Sequence, residues 1–144
     1  MRYMLYESNE NMVALEKEIT YLKNYIELQR LRFKNQAFVF LDVTGDCSNC
    51  EIMPLLLISF VENAFKHGVA TDEQHPISIS IHVEDNELHF TVMNKKNSQN
   101  KDQTGGIGLT NVKRRLDLMY RGKYDLSIED GPSLYSLELH LKLS

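Results

Sequence analysis

The chain has 144 residues, with 16 lysines and arginines against 20 aspartates and glutamates, for a net charge of -4. That length suits one domain with a real core, and 42% apolar residues are ordinary for a folded soluble unit. The greasiest run, residues 55–61, falls far short of the roughly 20 residues a membrane helix needs. The acidic balance also disfavours a nucleic-acid binder, because a phosphate backbone rewards a basic face.

Lys113, Arg114, Arg115, Arg121 and Lys123 nevertheless gather positive charge in one segment, where it suits a polyphosphate. Cys47 and Cys50 are the only cysteines, in C-x-x-C spacing with no second pair. That spacing fits incidental loop thiols, an occasional disulfide or half of a zinc site. Residues 1–12 carry Glu7, Asn9, Glu10 and Asn11 where a secretory leader requires apolar residues, so a reducing cytoplasm is the expected compartment.

Leu15, Ile19, Leu22, Ile26 and Phe33, with Gln29 in the intervening slot, repeat at steps of four and three. The spacing predicts a helix over 13–33 with one apolar stripe, while Glu16, Lys17, Glu18, Lys23 and Glu27 sit largely off it. Such a helix can pack on a sheet or pair with another helix. Residues 37–43 read as a strand and Thr44-Gly45-Asp46 as a turn. Pro54 then suits the first turn of a second helix running to about Lys66, with Gly68 ending it.

Ile77, Ile79, Ile81 and Val83 alternate with Ser78, Ser80 and His82, which predicts a strand with one buried face. Asp85-Asn86 is a hairpin turn, and Leu88, Phe90 and Val92 form the returning strand. Residues 95–106 are almost free of apolar side chains and read as a loop. Leu109, Val112, Leu116 and Met119 restore helical spacing, and strands over 124–129 and 135–143 flank the Asp130-Gly131-Pro132 turn. Helices interspersed with hairpins imply an α+β, two-layer sandwich: a mixed, mainly antiparallel sheet with helices on one face.

Two stretches carry the chemistry. On the second helix Leu55, Leu56, Ile58, Val61 and Phe65 can face the core, whereas Ser59, Glu62, Asn63, Lys66 and His67 turn toward another side. The Asn63 amide oxygen suits a magnesium ion whose charge is balanced mainly by phosphates, and Lys66 lies one turn on. Gly105, Gly106 and Gly108 open the third helix, where backbone amides can approach phosphate oxygens. Each stretch alone also fits a plain amphipathic helix or a loop end. Neither a dinucleotide fingerprint nor a Walker A loop is present.

Taken together, Glu62-Asn63-Ala64-Phe65-Lys66-His67-Gly68 resembles the N box of the GHKL ATP-binding superfamily. Gly106-Ile107-Gly108-Leu109-Thr110-Asn111-Val112-Lys113-Arg114-Arg115-Leu116 resembles its glycine box. The closest likeness is to the catalytic domain of LytS-like sensor histidine kinases, and it extends from about residue 13 to the end. The resemblance implies a Bergerat-type fold binding ATP and Mg2+. Asn63 would coordinate the metal, Lys66 contact phosphate, His67 lie beside the phosphates and Glu62 join the catalytic group.

By the same resemblance Gly106, Gly108, Leu109 and Asn111 belong to the cofactor-binding set, with Lys113 and Arg114 as phosphate contacts. The family's usual Asp-x-Gly-x-Gly is replaced by Asn94-Lys95-Lys96-Asn97-Ser98, so Asn94 would meet the adenine amino group through its amide oxygen. Residues 1–12 would end a linker, 13–144 form the HATPase-type domain and 95–105 the ATP lid.

The implied activity is ATP-dependent histidine phosphorylation of a dimerisation segment upstream of this chain, with a response regulator as the next partner. The parent would be a homodimeric membrane sensor with this part in the cytoplasm. The fragment alone would be monomeric and unable to phosphorylate itself. Two other classes are an ATP-hydrolysing GHKL domain and a nucleotide-independent interaction module.

Overall fold

The computed structural model describes residues 12–34, 36–96 and 105–143, and of residues 105–108 the backbone alone. In chain order the elements are β1 (Val13–Ala14), α1 (Leu15–Arg32), β2 (Val39–Gly45), β3 (Glu51–Ile52) and α2 (Leu56–His67). Then follow β4 (Ile77–Glu84), β5 (Glu87–Lys95), α3 (Gly105–Met119), β6 (Tyr124–Asp130) and β7 (Leu134–Lys142). The main sheet has the order β2-β4-β5-β7-β6, and β1 pairs with β3 in a separate two-stranded ribbon.

Only β2 and β4 run parallel, so their connection must cross over, and it does so through β3 and α2. The other neighbours are antiparallel. Asp85 and Asn86 turn the β4-β5 hairpin with φ of 55° and 62°, the left-handed pair that a tight two-residue hairpin requires.

Strand alternation decides which face is covered. Ile77, Ile79, Ile81, Leu88, Phe90, Val92, Leu137, Leu139 and Leu141 join one core with Leu56, Phe60, Val61, Ala64, Val112 and Leu116 from the helices. Phe60 and Phe90 meet at 6.0 Å between ring centroids, linking the two layers. The intervening residues, Ser78, Ser80, His82 and Thr91 among them, face outward on an open side. The expected α+β sandwich is the observed one.

Several local expectations shift for identifiable reasons. The first helix begins at Leu15, because Val13 and Ala14 pair with Ile52 and Glu51 instead. Its main partner is α2: Tyr25 meets Phe65 edge-on at 5.7 Å and Phe33 stacks on the same ring at 6.5 Å. Strand β2 starts at Val39, since Phe38 is tied to the connecting loop by its amide to the Ala70 carbonyl at 2.7 Å.

Pro54 precedes α2 by two residues, and Leu55, expected in the core, is 46% exposed in a left-handed conformation with φ of 63°. Glu18, expected off the apolar stripe, is 5% exposed. The polar stretch begins later than 95, because Lys95 ends β5 and Lys96 bridges Gly68. Residues 97–104 of the expected lid lie outside the described residues.

Covering one face of the sheet predicts opposite costs for two phenylalanines. Phe90→Ala should lose about 3–5 kcal/mol in urea unfolding through transfer and cavity terms. Phe40→Ala on the open face should change stability by no more than about 0.5 kcal/mol.

The loop leaving α2 yields a pH prediction. Asp72 accepts from Lys95 Nζ at 2.9 Å, and this contact, the Gln74 amide and His75 lower its carboxyl from the usual 3.8 to about 2. A depressed folded value makes the attachment fully present above pH 3.8 and lost as pH falls toward 2. Amide-exchange protection at Val69, which donates to the Lys95 carbonyl at 2.9 Å, should hold above that window and fall within it.

Candidate nucleotide-binding site

The candidate residues of α2 occupy its last two turns. Ala64 and Phe65 are buried, which turns Asn63 and His67 to half-buried positions and leaves Glu62 and Lys66 exposed. Ser59 spends its hydroxyl on the Leu55 carbonyl at 2.7 Å.

The helix ends at Gly68, whose amide donates to the Ala64 carbonyl at 2.8 Å. Gly68 then pairs with Lys96 in an antiparallel bridge, and Val69 bonds Lys95, so the end of α2 is fastened to the end of β5. This contact requires a glycine. A Cβ at Gly68 would stand 2.5 Å from the Ala64 carbonyl oxygen and 2.6 Å from Asn94 Nδ2, inside any normal contact distance.

Asn94 is 3% exposed at the point where helix and strand meet. Its Nδ2 donates to the Lys95 carbonyl at 3.1 Å, which fixes the amide orientation and leaves Oδ1 as the free acceptor. That Oδ1 is buried without a hydrogen-bond partner among the described residues, as is the hydroxyl of Tyr135 directly across the ladder. Burial and nearby Asp130 raise the Tyr135 phenol, keeping it a neutral donor. Two unsatisfied polar groups side by side are costly unless a ligand completes them.

The start of α2 is held from a distance. It has no side-chain cap of its own, and the Leu55 amide donates to Glu18 Oε1 of α1 at 3.3 Å. A carboxylate at a helix N-terminus is favoured by the exposed amides there. Burial raises the Glu18 carboxyl, opposed by the amides of Leu55 and Leu57 and by Arg115. Arg115 of α3 donates to the Pro54 carbonyl at 2.9 Å, and the Met53 amide donates to the Tyr120 hydroxyl at 3.0 Å.

The glycine segment does open a helix, α3, beginning at Gly105 and packed on α2. Leu109 is buried at 9% exposure and belongs to the core cluster. Asn111, Lys113 and Arg114 are exposed around the middle of α3. The ammonium groups of Lys95 and Lys96 are committed to Asp72 and Asp130.

The fold thus brings Gly68 and Asn94 together beside the turns bearing Asn63, Lys66 and His67. Sequence reasoning missed Tyr135, Glu18 and Arg115. Tyr135 was within reach, because it alternates with the inward Leu137, Leu139 and Leu141.

Comparison with known proteins agrees with this fold. The histidine kinase family model matches residues 1–37. The sensor protein LytS of Oceanobacillus iheyensis is 29% identical over 132 residues, covering 81% of this chain and 23% of its own length. The chain spans about a quarter or less of the curated relatives it matches first.

The solved catalytic domain of histidine kinase ThkA superposes with a TM-score of 0.68 at 13% identity, over 92% of this chain and 96% of that domain. ThkA in complex with the response regulator protein TrrA gives 0.59 at 14% identity, over 92% and 41%. The chain is therefore a relative of the LytS-like sensor histidine kinases, and its fold is that of a histidine kinase catalytic domain.

Proposed function

We propose that this chain binds ATP with Mg2+ and positions it for transfer of the γ-phosphoryl group to a histidine supplied by another segment of a longer protein. The observation that carries this reading is the buried, unpartnered Asn94 Oδ1 beside Gly68, at the end of the helix bearing Asn63 and Lys66. An amide oxygen held in that orientation accepts the exocyclic amino hydrogens of adenine. It disfavours guanine, which presents a carbonyl there. Tyr135 offers a second polar contact in the same register.

The remaining groups fit the phosphate end. Asn63 contributes a neutral oxygen ligand, a suitable complement to a cation whose charge the phosphates balance. Lys66 is exposed one turn away and carries no competing ion pair among the described residues. His67 sits between the metal-binding and purine ends, and Glu62 lies on the solvent side of the helix. The backbone amides of Gly106 and Gly108 at the start of α3 supply anion contacts, and Asn111, Lys113 and Arg114 add polar and positive groups beyond.

Mg2+, when bound, neutralises charge on the phosphates during transfer. The chain itself contributes orientation and electrostatic stabilisation, with no covalent nucleophile required of it.

Hydrolysis is the weaker reading. GHKL hydrolases place a water-activating glutamate one turn before the asparagine, and here that position is Ser59, whose hydroxyl is already bonded. In the parent protein the partners would be the chain's own upstream phosphoacceptor segment in a homodimer and a response regulator. A membrane sensor with this part in the cytoplasm fits the relatives, and no described helix is long and apolar enough to cross a membrane.

Calorimetry with ATP and Mg2+ tests the reading directly. Asn94→Ala should weaken ATP binding by about 10- to 100-fold, the cost of losing one buried hydrogen bond. Gly68→Ala should weaken it comparably by displacing Asn94, and GTP should bind worse than ATP. No ATP binding by the unmodified chain overturns the proposal.

The phosphotransfer half has its own measurement. Labelled ATP should leave no stable phosphohistidine on this chain alone, while adding the parent's acceptor segment should produce one there. Asn63→Ala should abolish that transfer.

A further inference from the structure

Three of the chain's five histidines fall in one row across the open face of the sheet, far from the purine end of the candidate site. The register pairs Thr44 with His82, His82 with His89, His89 with His140 and His140 with Asp125, one residue from each strand. Their side chains are half exposed, and the His89 and His140 rings lie 5.3 Å apart between centroids.

Each imidazole turns Nε2 to a carboxylate: His82 to Glu84 at 3.2 Å, His89 to Glu138, and His140 to Glu87 at 3.4 Å. A carboxylate only accepts, so the hydrogen-bonded Nε2 of His82 and of His89 carries the hydrogen and leaves the acceptor lone pair at Nδ1, while His140 meets Glu87 as an ion-pair contact alone. His82 uses that lone pair on the Thr44 hydroxyl at 2.7 Å. Among the described residues, Nδ1 of His89 and of His140 has no such partner.

A ring held by a carboxylate on one nitrogen with the other nitrogen free is the arrangement that prepares histidine for a metal. The surroundings favour a cation as well. Glu84, Glu87, Asp125 and Glu138 stand on this part of the face against Lys123 and Lys142. Glu87, Asp125 and His140 also line a hollow of about 280 Å³.

We propose that His89 and His140 bind a transition-metal ion of the Zn2+ or Cu2+ class, His89 through Nδ1 with Glu138 holding its ring and His140 through a nitrogen of the ring beside it. Imidazole nitrogen selects these ions over Mg2+, which prefers oxygen, so the site is chemically separate from the nucleotide end. No three His, Cys, Asp or Glu groups converge on one point among the described residues. Two protein nitrogens therefore hold the ion, water completes its shell, and the half-exposed His140 ring rotates to meet it while Glu138 keeps the His89 ring in place.

Titration of the full chain with Zn2+ in the absence of nucleotide tests this, independently of ATP binding. One ion per chain should bind, with imidazole NMR shifts at His89 and His140. His89→Ala and His140→Ala should each weaken binding at least tenfold, roughly the loss expected on removing a ligand or its support, and Glu138→Gln by about tenfold.

The double substitution Cys47→Ser and Cys50→Ser, and His75→Ala, should leave binding unchanged. Circular dichroism of the exposed-site variants should match the unmodified chain. No binding, binding indifferent to both histidines, or binding lost with the cysteines overturns the proposal.

Discussion

The contact between Gly68 and Asn94 is the constraint on which the geometry of the candidate site depends. A helix carrying polar residues on one side becomes part of a site only when its end is fixed against something else. Here the fixing element is the last pair of β5. The approach is so close that a single added carbon would collide with the Ala64 carbonyl and the Asn94 amide together. That closeness buries Asn94, and burial turns an ordinary strand-end amide into an orphaned acceptor with a defined direction. The orphaned acceptor and the docking of the helix therefore rest on one steric fact.

The opposite end of the same helix is organised differently. Leu55 adopts a left-handed conformation and α2 has no local cap, so amides and carbonyls at residues 53–55 depend on Glu18, Arg115 and Tyr120. Glu18 comes from α1, Arg115 from α3 and Tyr120 from the residue just past it. Moving α1 would disturb the start of α2, whose far end carries the candidate metal and phosphate residues. The histidine kinase family model covers α1, the helix whose Glu18 helps hold the start of α2 in place.

An antiparallel sheet tolerates one wet face, and this chain uses it for chemistry of a different kind. The inward face is an uninterrupted layer of Ile, Leu, Val and Phe. The outward face is free to carry serines, threonines, carboxylates and histidines, because none of them must be desolvated. Half-exposed His–Glu pairs there contribute little to stability. Their interest lies in the lone pairs they leave pointing outward.

Much of the fold was legible in the chain. Strict alternation over β4, β5 and β7 marked one buried face, the four-and-three spacing marked α1, and Asp85-Asn86 marked the hairpin. The N-box and glycine-box residues carried the family resemblance before any coordinate did, because each motif is local to one helix.

Other features depend on partners distant in sequence, and only the tertiary structure decided them. His89 meets Glu138 across 49 positions, and Leu55 meets Glu18 across 37. Whether Glu18 is a solvated surface charge or a buried support for α2 depends on where two helices cross. Whether three scattered histidines form a row depends on strand register, and a slip of one residue would send each of them to the other face. Residue identity determines which groups a chain possesses and which side of its own element they occupy. Packing and register determine which of those groups meet, and here that settles which polar atoms are left without a partner.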